Sequence, residues 1–373
     1  MTSSGRHITV LVSNDLQHDQ RVAKVCDTLL SLGFRITLVG RLLPESKPFE
    51  RAYEIRRFRL WFQRGALFYA ALQLRLFLYL IFKRTDIIVA NDLDTLLPAF
   101  LVARLRGKDL VYDSHEYFTE AEGLTNRPLP KRVWLAVEAF IFPKLKHVFT
   151  VNETIAGIYR ALYHVPVHVV RNMPKLQPNR SNLDRAALGL PANKQIILLQ
   201  GAFIDPDRGG MELAQSMQYV EGALLLIIGS GRDLGNIRAE VARLKLEEKV
   251  QFIGKLPYDE LKAYTRAADV GVSLDKPLHL NYAYSLPNKL FDYIHAGVPV
   301  LVSDLPELRR LVDQYKLGRI ARQVTPECIA ECLNEMIMSG ERAQWKSNAL
   351  EARETLNWQQ ESQVIISVYE KLR

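Results

Sequence analysis

Short apolar runs alternate with helical stretches along the whole of this 373-residue chain, and the alternation restricts it to a small set of folds. Residues 8–12, 35–39, 87–90, 110–112, 147–151 and 167–170 read as buried strands bounded by polar turns. Helical patterns, such as 22–32 and 96–105, lie between several of them. Strands that are apolar on both faces need cover on both, so the pattern predicts parallel sheets with helices on either side. A second series runs through 196–200, 224–228, 250–252, 270–273 and 298–302. The polar, proline-bearing run 171–185 between the two reads as a linker. The expectation is an α/β chain of two doubly wound domains, 1–172 and 186–357. Ligands of such folds sit outside the C-terminal ends of the strands, so a cleft between the domains is the expected site.

Bulk properties narrow the function. The length is comfortable for two cores, and 48% hydrophobic with 24% charged residues describes a folded globular protein. A net charge of +8 suggests an acidic partner: nucleic acid, an anionic membrane or a phosphorylated ligand. Three cysteines are too few for a disulfide framework, which points to a reducing compartment. Cys328 and Cys332, four apart on a helical pattern, read as core packing. The apolar run 8–12 is too short for a signal peptide, so a cytoplasmic location is expected.

The basic, aromatic stretch 56–84 sets Arg56, Arg57, Arg59, Arg64, Lys83 and Arg84 around Trp61, Phe62 and the apolar run 65–82. A spanning helix needs about 20 apolar residues, and Arg75 at its middle is costly. Two readings remain: a buried helix of the first domain, or an amphipathic surface on the anionic inner face of a membrane. No nucleic-acid module accompanies the stretch, so nucleic acid is not expected as a partner.

Several segments carry chemistry. Residues 284–300 read as a turn, a short helix and a buried strand, with Ser285 as cap, Pro287 in the first turn and Gly297 as the stop. A helix N-terminus beside a strand favours anions. Lys289 and Asp292 share one helix face, a pairing suited to a ligand with phosphates and hydroxyls. A solvated ion pair is the plainer reading. The loop from Gly201 to Gly210 lets backbone N–H groups reach a phosphate, with Arg208 as a bidentate donor. Asp113, Ser114, His115 and Glu116 follow a strand, so their side chains should emerge at the sheet edge, where His115 can bond a sugar hydroxyl or phosphate. Asp92 and Asp94 imitate an Asp-x-Asp metal motif, but acids before an apolar helix also serve its dipole, and no metal is expected. No glycine lies between Gly5 and Gly33, which argues against a dinucleotide-dependent oxidoreductase. Glycine turns also recur at Gly229, Gly231 and Gly254.

Taken together these segments resemble the retaining glycosyltransferases of family 4, which have the GT-B fold: two Rossmann-like domains facing each other across a cleft. The resemblance covers most of the chain and is most specific between 201 and 304. It implies transfer of a sugar from a UDP- or GDP-sugar, a substrate and not a cofactor, to a hydroxyl of a glycan or lipid-linked acceptor. Cell-surface polysaccharide or glycolipid assembly is the expected setting. Asp292 takes the place of the acid that holds the ribose, and Tyr284 stands where the family carries an acid against the donor sugar. Ser285, Asn288, Leu290, Gly201 and Gly209 line the donor site, and Gly254 and Lys255 lie beside the base. Arg208 and Lys289 stabilise the leaving phosphate, although Ala202 replaces an expected arginine. His115 approaches the donor, and Glu116 orients the acceptor hydroxyl or holds His115. Asp19 and Arg21 open the helix on the acceptor side, where the plainer reading is a cap and a surface charge. The family also implies that 358–373 packs back on the first domain. Two rivals stand beside this reading: a nucleotide-sugar epimerase of the same fold and a non-catalytic nucleotide-binding protein.

Overall fold

A computed structural model of the chain describes residues 5–17, 19–177 and 185–373. Residues 178–184 of the anticipated linker, and His18, lie outside the described residues. The chain divides into two compact units, one comprising 1–172 with 360–373 and the other 173–359.

The first unit is built on seven strands: β1 (His7–Asp15), β2 (Arg35–Arg41), β3 (Glu54–Phe58), β4 (Ile87–Asn91), β5 (Asp109–Ser114), β6 (His147–Thr150) and β7 (Val167–Val169). All pair in parallel, in the order β3-β2-β1-β4-β5-β6-β7. The second unit has β8 (Gln195–Gly201), β9 (Ala223–Gly229), β10 (Val250–Ile253), β11 (Val270–Ser273), β12 (Val300–Ser303) and β13 (Gly318–Ala321). Its order, β10-β9-β8-β11-β12-β13, is again wholly parallel. Each sheet reverses direction beside its first strand, at β1/β4 and at β8/β11. Crevices at the C-terminal ends of strands flanking such a reversal are where ligands of this topology bind.

The strands are as apolar as two-sided burial demands. In β8 the side chains of Ile196 and Leu198 join one core with the helices Asn288–Ala296 and Pro306–Tyr315. Ile197 and Leu199, one residue out of phase, join the opposite core with Gly210–Ser216 and Pro326–Met338. Period-two alternation thus feeds two helical layers from one strand. Cys328 and Cys332 pack against the second of these cores.

Two strands escaped the sequence reading, β3 and β13, and both lie at sheet edges. The helix Gly65–Phe82 buries Phe68, Leu72, Leu76 and Leu80 at a four-residue spacing and packs on the helix Leu93–Arg106. It is long and apolar enough to cross a bilayer by length and composition alone. The last helix, Trp358–Tyr369, ends in a 3-10 turn, Glu370–Leu372. Tyr369 packs edge-on against Phe34 and stacks on Phe149, and Glu361 Oε1 accepts two bonds from the Arg171 guanidinium, from Nη2 at 2.6 Å and from Nε at 3.0 Å.

Candidate functional site

In the first unit, polar side chains gather where β4 and β5 end. Arg21 lies in the first turn of the helix Gln20–Ser31, which Asp19 caps by accepting a 3.0 Å bond from Val22 N–H. The capping role anticipated for Asp19 is therefore present. Arg21 is not a surface charge. It is 4% exposed and forks onto Asp113, Nη2 to Oδ1 at 2.6 Å and Nε to Oδ2 at 3.1 Å, while also donating to the Val170 carbonyl. Its guanidinium is spent on the fold.

Asp113 in turn faces His115, Oδ2 to Nε2 at 3.4 Å. Nε2 also lies 3.1 Å from the Asn91 amide oxygen. Beside the other nitrogen, Nδ1, stands Asp92 Oδ2 at 3.6 Å, and Asp92 Oδ1 accepts the His115 backbone N–H at 2.8 Å. Burial works against a charged ring, yet Asp92 and Asp113 outweigh it and push the His115 pKa up to about 9. Asp113 is held well below the usual carboxylate range: burial opposes ionisation, but Arg21 and then His115 overcome it. His115 is therefore a fixed imidazolium at neutral pH. Glu116 is half-buried next to it, and its carbonyl accepts from Ser114 Oγ at 2.8 Å.

Asp92 and Asp94 have different surroundings. Asp92 turns to His115, whereas Asp94 sits buried in the first turn of Leu93–Arg106. Among the described residues no group of three His, Cys, Asp or Glu side chains has the arrangement of a metal site.

In the second unit the parallel strands bring the anticipated donor residues to one sheet edge. Gly201 ends β8, Gly254 and Lys255 follow β10, and the helix Asn288–Ala296 starts before β12. Ser285 does not cap that helix; Pro287 occupies the cap position with φ −65° and ψ 135°, and Ser285 Oγ donates back to the Tyr282 carbonyl at 2.9 Å. The short helix Leu280–Ala283 immediately before it claims the serine. The helix N-terminus therefore begins at Asn288, with Lys289 and Leu290 in its first turn, and keeps its N–H groups without a side-chain cap. Gly297 ends it at φ 69°, as expected. Tyr284 donates its backbone N–H to the Leu280 carbonyl at 3.0 Å.

Arg208 and Lys289 are brought together by an acid the sequence reading missed. Asp275, wholly buried just beyond β11, accepts from Arg208 Nη1 at 2.9 Å and lies 3.9 Å from Lys289 Nζ. Burial disfavours its charge, but Lys289 and Arg208 hold it below its ordinary value. Burial lowers the Lys289 pKa, with Asp275 offsetting part of the effect. The Arg208 guanidinium also lies 4.4 Å above the Tyr282 ring. The backbone beside it needs glycine: Gly209 has φ 67°, and a Cβ there would stand 2.4 Å from the Leu274 carbonyl oxygen.

Asp292 is fixed differently. Tyr258 Oη donates to Oδ1 at 2.8 Å and Gln200 Nε2 to Oδ2 at 3.1 Å. Burial and then the Asp292 charge raise the Tyr258 pKa, which keeps that phenol a donor. Lys289 and Asp292 therefore do not pair with each other, because each has a partner on a neighbouring element. Gly254 and Lys255 are exposed. A signal for Asp275 was present in its place at a strand end beside the reversal. Tyr258 and Gln200 had none, since only the packed sheet sets them beside Asp292.

A family model described as Glycosyltransferase Family 4 matches residues 20–173, and one described as Glycosyl transferases group 1 matches residues 181–352. The chain belongs to glycosyltransferase family 4. A phosphatidyl-myo-inositol mannosyltransferase of Mycobacterium leprae is 25% identical over 211 residues, 52% of each chain, so the match spans about half of that relative. Among solved structures, sucrose-phosphate synthase from Thermosynechococcus elongatus superposes with a TM-score of 0.79 at 18% identity, covering 98% of this chain and 99% of that one. Anabaena HepE in complex with UDP and glucose gives 0.74 at 15%, covering 98% and 100%. The structural likenesses establish the GT-B type of fold for this family member.

Proposed function

We propose that the family 4 member described here is a retaining glycosyltransferase that moves a sugar from a nucleotide-sugar to a hydroxyl acceptor without a metal. The observation that carries the reading is the convergence of Arg208 and Lys289 on buried Asp275, beside the helix N-terminus at Asn288. Two cations against one carboxylate leave net positive charge, and uncapped N–H groups add to it. Negative charge builds on the leaving phosphate as the anomeric bond breaks, and preorganised donors of this kind stabilise it as it forms. Asp292, aimed by Tyr258 and Gln200, accepts from ribose hydroxyls, with Gly201, Gly209, Ser285, Asn288 and Leu290 lining the donor. Tyr284 stands at the sugar, and Gly254 and Lys255 lie beside the base. The His115 imidazolium donates to the sugar, Asp19 and Glu116 serve the acceptor side, and Arg21 acts there through Asp113. The departing phosphate takes the acceptor proton. UDP- or GDP-sugars are the proposed donors, in keeping with a structural neighbour solved with UDP-glucose. The proposed acceptor is a glycan or lipid-linked hydroxyl, reached from the cytoplasmic face of a membrane through residues 56–84.

A thermal-shift panel of UDP, GDP, ADP and their sugar conjugates tests the donor site, since a ligand of the native state raises the melting temperature. The cognate nucleotide should do so, and Asp292→Ala and Arg208→Ala should each remove most of the shift and of donor-dependent turnover. A flat panel at saturating nucleotide, or epimerised donor formed without acceptor, overturns the reading. Anomeric NMR of the product tests retention, and turnover in EDTA tests metal independence.

A further inference from the structure

The helices Gly65–Phe82, Leu93–Arg106 and Pro128–Ile141 pack side by side. They are successive crossovers of a sheet that advances in one direction from β3 through β4 and β5 to β6, which sets them on the same face. Their outward side is apolar. Leu67, Leu105, Leu129 and Phe140 are 60%, 68%, 72% and 55% exposed, and Trp61, just ahead of the first helix, is 94% exposed. Most of the exposed large hydrophobic side chains among the described residues fall between Trp61 and Phe140.

The charges on this layer are one-sided. Asp94 and Glu138 are the only acids on the three helices, and both are buried, at 6% and 1% exposure. Arg75, Arg104 and Arg132 are exposed. No acid occurs between Glu54 and Asp86, where Arg59, Arg64 and Arg84 are also exposed. Contiguous apolar surface of this kind marks an interaction site. A second copy of the same face would set cations against cations with no acid to meet them.

We propose that this three-helix face docks on an anionic lipid bilayer, lying on the surface and not through it. Leucine and phenylalanine side chains enter the boundary between headgroups and acyl chains, while the arginines reach out to phosphates. The helix Gly65–Phe82 keeps its buried stripe on its neighbour instead of giving it to lipid. Docking deepens the proposed function and rests on its membrane-side acceptor. The helix Leu93–Arg106 starts at the sheet edge that carries Asp92 and His115, and Gln73, midway along Gly65–Phe82, donates to the Asp94 carbonyl there. A lipid-linked acceptor held in the bilayer would present its hydroxyl along that edge.

The test is sedimentation of the full-length protein with phosphatidylcholine vesicles, with and without phosphatidylglycerol, at low and high salt. The protein should pellet only with the anionic vesicles and be released by salt. Leu105→Glu, Leu129→Glu and Phe140→Glu should each weaken partitioning about tenfold, with melting temperature unchanged. Equal binding to neutral vesicles, or none to anionic ones, overturns the proposal. Glutamate variants that pellet like the wild type also overturn it, confining any contact to residues 56–84. A dimer in vesicle-free solution that Phe140→Glu dissociates would give the face to a second copy and overturn it too. The nucleotide-induced thermal shift, measured on the same variants, reports the donor site independently of vesicle binding.

Discussion

Asp92 holds a backbone conformation that non-glycine residues rarely adopt, φ 61° with ψ 165°, at a cost of about 1–3 kcal/mol. Its N–H is bonded to the Asp113 carbonyl at 2.9 Å, and its carboxylate braces His115 from the backbone and from the ring side. Folded His115 keeps its proton up to about 9 against an ordinary 6.5. Its charge therefore stabilises the fold fully below pH 6.5, and that contribution fades as pH rises through about 9. Asp92→Asn keeps a backbone acceptor but removes one flanking charge. The alkaline limb of the pH–kcat/KM profile should move to lower pH, and the ring's NMR titration should move with it. Unmoved titration would mean that Asp113 alone sets the histidine. The His115 side chain was legible from its place after a strand, but its partners were not, because Asp92 is 23 residues away and belongs to another strand end.

Among the elements, the central strands were legible because burial on both faces writes them as unbroken apolar runs. At two of the four sheet edges that signal fails, although the edge strands β7 and β10 still carry it. The strand β3 reads Glu-Ile-Arg-Arg-Phe and β13 Gly-Arg-Ile-Ala, since each pairs on one side only and needs less cover. The helix at Asn288 was legible in existence and in its glycine stop, but its start lay beyond local rules, because Ser285 belongs to the preceding turn. The layer formed by Gly65–Phe82, Leu93–Arg106 and Pro128–Ile141 buries two acids, Asp94 and Glu138. Burial, reinforced by Asp92, raises Asp94 from 3.8 to about 7. Burial raises Glu138 from 4.5 to about 7 against its bond from Tyr163. The folded protein holds these protons longer than the unfolded chain, so stability falls as pH rises from about 4 to about 7 and stays lower above. Asp94→Asn combined with Glu138→Gln should flatten that fall. Melting temperatures at pH 5 and pH 8 will then differ less than in the wild type, and an equal difference would refute the assignment.

For the molecule as a whole, the last helix serves a unit whose other residues end almost two hundred positions earlier. Tyr369 is 1% exposed between Phe34 and Phe149. Tyr369→Ala should cost about 3–5 kcal/mol in urea denaturation, and a loss under about 1 kcal/mol would show that the helix is only loosely held. The sequence by itself determined the α/β class, the two series of strands, and the placing of Asp113 and His115 after a strand, Arg208 in a glycine loop and Lys289 on a short helix. These follow from periodicity and turn chemistry acting over a few residues. Only the tertiary structure decided which charges meet. Arg21 is consumed by Asp113 across 92 positions, Asp275 gathers Arg208 across 67, and Tyr258 and Gln200 converge on Asp292. Such pairings depend on the order of strands in a sheet and on what burial excludes from water, and local sequence spacing specifies neither.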